Sequence, residues 1–138
     1  IINEETRLKL DQSKTFYNFF KLINNQKKKL VKLVNKIIKK KEIIHGYGAS
    51  TKGNVLLQYF KISNKKIRYI ADRNPQKFNL YTPGTKIKIV SEAFSRKCKP
   101  NYYLVLPWHF KKEIVAREKN IINRGSKFIF PLPKMKII

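Results

Sequence analysis

Residues 46–53 read Gly46-Tyr47-Gly48-Ala49-Ser50-Thr51-Lys52-Gly53. Glycine permits tight turns and close backbone approach, while Ser50, Thr51 and Lys52 add hydroxyl donors and a positive charge. A short β-branched run precedes the segment and a helical pattern follows it. Such a turn aims backbone N–H groups and a helix N-terminus at one spot, which suits a phosphate. The spacing matches no standard motif. A P-loop ends in Gly-Lys-Ser/Thr, whereas Asn54 follows Gly53 here. A dinucleotide fingerprint places its third glycine two residues earlier. The first motif of methyl-donor-binding domains carries an acid two positions before the first glycine, where Ile44 stands. Two readings therefore stay open, a ligand loop and a turn that only joins strand to helix.

Other chemistry-bearing residues fall at the ends of apolar runs. Asp72 closes one run, where a Rossmann unit can bind a ribose, and it can equally cap Asn74-Pro75 or pair with Arg73 or Arg68. Trp108 and His109 follow Leu106-Pro107. Trp108 can stack on a base or sugar, and His109 can donate a proton or accept one. His109 has no evident carboxylate partner, which makes it a poor catalytic candidate. The long polar loop 74–85 carries Lys77, Tyr81 and Thr82 and has the length of a binding element. His45 lies inside a strand-like run and reads as a core residue.

These residues need a scaffold. From Asp11 to Lys41 the apolar residues Phe16, Phe20, Ile23, Leu30, Val34 and Ile37 recur at helical spacing, widened by Phe19, Leu33 and Ile38. Asp11 or Ser13 can cap this helix, and the polar stretch Asn24 to Lys29 marks a candidate break. Strand-like runs follow at 42–46, 66–71, 87–90, 102–106 and 127–130. Helical patterns separate them at 54–60, 91–96 and 111–124, and Pro131 and Pro133 are expected to end the regular structure. Alternation of this kind predicts right-handed crossovers and a parallel sheet covered on both faces. The expected fold is α/β: a small Rossmann-like three-layer sandwich with a mainly parallel sheet, preceded by a long N-terminal helix. The boundary is drawn between a helical lead-in, 1–41, and the sandwich, 42–138.

Composition narrows the classes. The chain has 138 residues, 42% of them apolar, and a formal charge of +24. That charge suits a polyanion partner. Only 6 of the 32 basic residues are Arg, however, in a chain also crowded with Ile and Asn, which resembles a coding bias. Nucleic acid is placed well behind for that reason. The single Cys98 excludes an internal disulfide and an all-Cys zinc site, and it suits a reducing cytoplasm. No metal ligands are assigned. No apolar run approaches a membrane span. The first residue is Ile1 rather than Met, so the chain reads as a piece of something longer.

Several uncommon strings occur in order. They are residues 46–54 with Leu57-Gln58-Tyr59-Phe60, then Ala71 to Lys77, Tyr81-Thr82-Pro83-Gly84-Thr85, Tyr103 to Phe110, and Arg124 to Pro133. Together they resemble the C-terminal domain of the sugar C-methyltransferases, from about residue 43 onward. Asn79 and Ser126 depart from that pattern, which expects glycine at both. The resemblance implies an enzyme in three parts. A zinc-binding part and a central S-adenosylmethionine-binding domain, with the acid–base residues, precede a C-terminal part like this chain. The reaction implied is methyl transfer to a carbon beside the keto group of a nucleotide-linked deoxysugar. This chain is then expected to form one wall of the substrate cleft, using Gly46, Tyr47, Gly48, Ala49, Ser50, Thr51, Lys52, Asp72, Tyr81, Trp108 and His109. Its partners would be the nucleotide sugar and the upstream methyl-donor domain. A stand-alone nucleotide binder and a basic nucleic-acid module are the alternatives. Oligomeric state is left open.

Overall fold

The computed structural model describes residues 2–138. Helices α1 (Ile2–Arg7) and α2 (Ser13–Lys39) lead into strand β1 (Ile44–Tyr47). Then come α3 (Thr51–Tyr59), β2 (Tyr69–Asp72), β3 (Lys88–Ser91), α4 (Glu92–Lys97) and β4 (Tyr102–Val105). Helices α5 (Lys111–Arg117) and α6 (Lys119–Asn123) precede β5 (Lys127–Phe130) and β6 (Lys136–Ile137).

The sheet order is β3-β2-β1-β4-β5-β6. The first five strands are parallel and β6 runs antiparallel to β5. Period-2 alternation sorts the strand side chains onto two faces. Ile44, Ile70, Leu104 and Ile129 share a core with Leu30, Val34 and Ile37 of α2 and Leu56 and Leu57 of α3. Tyr47, Ala71, Tyr103, Val105, Phe128 and Phe130 face the other way, onto Ile114, Val115, Ile121 and Ile122. The result is the expected α/β sandwich, helices covering both faces of a mostly parallel sheet.

Some local expectations are corrected. Helix α2 starts at Ser13, and its N-cap residue, Gln12, makes no side-chain cap bond. The helix does not break at 24–29, because its polar residues there are used. Tyr59 donates to Asn24 Oδ1 (3.1 Å), Met135 N donates to Gln26 Oε1 (3.4 Å), and the Lys27 ammonium lies 4.5 Å from the Tyr59 ring centre. The apolar stripe is buried only in its C-terminal part, whereas Phe16, Phe19, Phe20 and Ile38 are exposed. The helix expected at 111–124 is divided at Glu118, whose carboxylate is drawn into the interior. Beyond the prolines regular structure resumes: Phe128 N donates to Ile138 O (2.7 Å) and Ile138 N to Phe128 O (3.0 Å). Asn79 takes φ +67°, the left-handed conformation glycine adopts most readily and Asn next.

Candidate ligand site

In an open α/β sheet, ligands bind outside the carboxyl ends of the strands where the strand order reverses. Here that point lies between β1 and β4. Gly48 follows β1 and the turn Leu106-Pro107-Trp108 follows β4, so the two strongest sequence signals meet there. Gly48 has φ +77°, and a Cβ on it would stand 2.8 Å from Pro107. A Cβ on Gly46 would meet Ile70 at 2.6 Å, and one on Gly53 would collide with Leu106. All three glycines therefore let elements pack closely. This accounts for a spacing that follows no phosphate motif.

Ser50 caps α3, its Oγ accepting from Gly53 N at 3.1 Å. Among the described residues nothing accepts from the amides of Thr51 and Lys52, and both side chains are exposed. The helix N-terminus thus offers free donors, with the Lys52 ammonium beside them.

Asp72 is buried and clamps this loop. Its Oδ2 accepts from Ala49 N (2.7 Å) and its Oδ1 from Asn74 N (2.8 Å). Lys77 completes the clamp, bonding Ala49 O at 2.9 Å with its ammonium 3.5 Å from Asp72 Oδ2. The carboxylate that could have met an adenosine ribose is thus spent on loop amides, a poor fit to a methyl donor bound in this chain.

Trp108 is half-buried and touches both cores, while His109 is exposed with its ring 4.3 Å from that of Phe110. Tyr81 is not brought to this place. It bridges Lys88 at the start of β3, on the outer edge of the sheet and toward its opposite end.

One cluster was missed by reading along the chain. Glu118, 2% exposed, accepts from Tyr47 OH (2.8 Å) and pairs with Arg96 (3.1 Å) and Arg117 (2.7 Å). Arg117 also contacts Tyr47 OH and Glu92, and Arg96 lies 3.3 Å from Glu92. Burial raises the Glu92 carboxyl above its ordinary range, against the pull of Arg96. The signal available was rarity: arginines in a lysine-rich chain, acids in a basic one. The cluster floors an open cavity of about 370 Å³, lined among others by Tyr47, Gly48, Asp72, Pro107 and Phe110.

His45, the second residue of β1, is buried and shares a 2.8 Å hydrogen bond with Ser95 Oγ. Desolvation, then the charge of Arg68, lower its pKa from 6.5 to about 4. Unfolded, the ring takes a proton near pH 6.5, and the native ring resists until near pH 4. Native stability is expected to fall by about 3 kcal/mol as pH drops through that window. Glu92 works oppositely, since its raised carboxyl binds protons in the fold first. Urea unfolding at pH 7 and 4.5 checks this: the loss should shrink in His45→Gln, and an equal loss in that variant would refute the assignment to His45.

Among the described residues no group of three or more His, Cys, Asp or Glu is placed to hold a metal. No described helix is long and apolar enough to cross a membrane.

The strand order and the helix N-terminus at its reversal define a doubly wound α/β domain with an open crevice at its switch point. The chain belongs to the C-methyltransferase C-terminal domain family, which it matches over residues 1–133. It is 34% identical over 106 residues to the C-methyltransferase NovU of Streptomyces niveus. That match covers 77% of this chain and 25% of NovU, so the chain spans about a quarter of that relative's length.

Proposed function

We propose that this chain is the substrate-side domain of an S-adenosylmethionine-dependent methyltransferase acting on a carbon of a nucleotide-linked keto-deoxysugar. The observation that carries the reading is the meeting of the Gly48–Lys52 loop with the Pro107-Trp108 turn at the sheet's switch point. The Thr51 and Lys52 amides with the Lys52 ammonium suit a diphosphate. Trp108 and His109 supply an aromatic wall and a donor on the other side of the crevice. Gly46, Gly48 and Asp72 shape the loop, with Ala49, Ser50 and Tyr47 as its backbone and floor. Tyr81 would take part only from the sheet's edge.

The methyl donor, the acid–base residues and a zinc site are assigned to other parts of the polypeptide, with the upstream domain as this chain's partner in a cytoplasmic enzyme. S-adenosylmethionine supplies an electrophilic methyl group, and the residues here bind and orient the acceptor. Alone, the chain is expected to bind without catalysing.

Calorimetric titration at moderate salt tests the reading. A nucleoside-diphosphate keto-deoxyhexose should bind, S-adenosylmethionine should not, and Lys52→Ala should weaken the sugar nucleotide about tenfold. Binding of the methyl donor alone would overturn it.

A further inference from the structure

The cavity at the strand ends has a composition unlike the rest of the chain. Of 8 acidic residues in the sequence, Asp72, Glu92 and Glu113 line it, and Glu118 stands directly behind Tyr47 and Arg117. Of 6 arginines, Arg73 and Arg117 line it, and Arg96 braces Glu92 and Glu118. None of the 26 lysines does. A drift toward lysine should reach this opening as readily as any other exposed place.

The charges have two conditions. Glu92 and Arg117 are fixed by ion pairs within the cluster. Among the described residues no side-chain hydrogen bond or close ion pair engages Arg73 or Glu113, although the charge of Arg73 reaches Glu92 and both line the same opening. A guanidinium and a carboxylate without direct partners thus share a cavity with the exposed ring of Phe110. Asp72 and Glu92 are already engaged by Lys77, Arg96 and Arg117, which leaves Glu113 as the lining carboxylate available to a ligand. A carboxylate accepts from hydroxyls, and a guanidinium donates in a planar fork to a carbonyl. An aromatic face with a few placed polar groups is the usual lining for a neutral ring.

We infer that this cavity receives the uncharged ring of the ligand, one carrying hydroxyl and carbonyl groups, and that the diphosphate lies outside it. Arg73 donates to the carbonyl, Glu113 accepts from a hydroxyl, and Phe110 packs on the ring. The diphosphate stays on the α3 side of the crevice, on the Thr51 and Lys52 amides. The inference rests on the nucleotide-sugar reading above and divides that ligand between two walls. A hexose and a nucleobase with its ribose share this chemistry.

The test is calorimetric titration of the 138-residue chain and of Arg73→Gln, Glu113→Gln and Lys52→Ala. The probes are a nucleoside-diphosphate keto-deoxyhexose, pyrophosphate, four nucleosides and a free 6-deoxyhexose. Both cavity positions are exposed, so urea unfolding curves should match the parent chain. Arg73→Gln and Glu113→Gln should each weaken the sugar nucleotide about tenfold and leave pyrophosphate affinity unchanged. Lys52→Ala should weaken pyrophosphate. Competition by a nucleoside or by the hexose identifies which ring enters. If Arg73→Gln weakens pyrophosphate equally, or Glu113→Gln tightens it, the cavity holds phosphate and the inference is wrong. If the sugar nucleotide binds and neither cavity variant changes it, the inference falls while the substrate-wall reading stands. If a neutral ring binds but the sugar nucleotide does not, the substrate-wall reading falls. If nothing binds, both fall.

Discussion

Gly53→Ala is expected to cost about 2–3 kcal/mol of stability, a drop of roughly 8 °C in Tm for a chain of this size. Helix propensity argues the other way, since alanine is favoured over glycine by about 1 kcal/mol inside a helix. Space decides the sign. The added Cβ would collide with the Cβ of Leu106 and stand 2.9 Å from Ser50 Oγ. No rotamer change moves a Cβ, so α3 must shift off the turn after β4. That shift also strains the Ser50 cap, itself worth about 1 kcal/mol. Thermal unfolding of the variant reads the effect directly, and an unchanged or raised Tm would show that the contact yields. Sugar-nucleotide binding should fall in parallel, because the free amides of Thr51 and Lys52 belong to the displaced turn.

Glu118→Ala is expected to cost about 3 kcal/mol, because one buried carboxylate holds three partners. Arg96 and Arg117 are each more than a third exposed as side chains, so water recovers part of what they lose. Tyr47 is 6% exposed and keeps only Arg117. The volume left behind adds its own cost. Glu118→Gln keeps the shape and loses the charge, so its loss should be about half as large. Urea unfolding midpoints order the two variants. A Glu118→Ala chain within about 0.5 kcal/mol of the parent would mean that the cluster adds little to stability.

Much of the fold was legible because its strands alternate with helical patterns and are too short and apolar to be anything but covered. Ser91 capped its helix as read, accepting from Phe94 N. The division at Glu118 was not legible, since the pull comes from Arg96, distant along the chain and adjacent in space. Strand β6 lay behind two prolines and pairs through only a few bonds. The stripe on α2 looks the same on paper whether or not something covers it, so Phe16 and Phe20 read as core and stand exposed. At the site, the glycine loop and the Trp108 turn announce themselves by residue type. Arg73, Glu92, Glu113 and Arg117 come from three separate stretches, and only the packing of α4 and α5 on the sheet brings them to one mouth. Tyr81 belonged to a promising loop, yet its register with Lys88 carries it to the sheet's edge.

Helix α2 has one further property. It runs unbroken from Ser13 to Lys39; Leu30, Val34 and Ile37 are buried in the core, Ile23 rests against it, and Asn24 and Gln26 are tied to Tyr59 and Met135. A continuous helix has no joint. Its aromatic end therefore projects rigidly up to about 10 Å beyond Ile23, at 1.5 Å per residue. It is an outrigger: a tilt of about 10° at the seat would carry Phe16 only about 2 Å sideways.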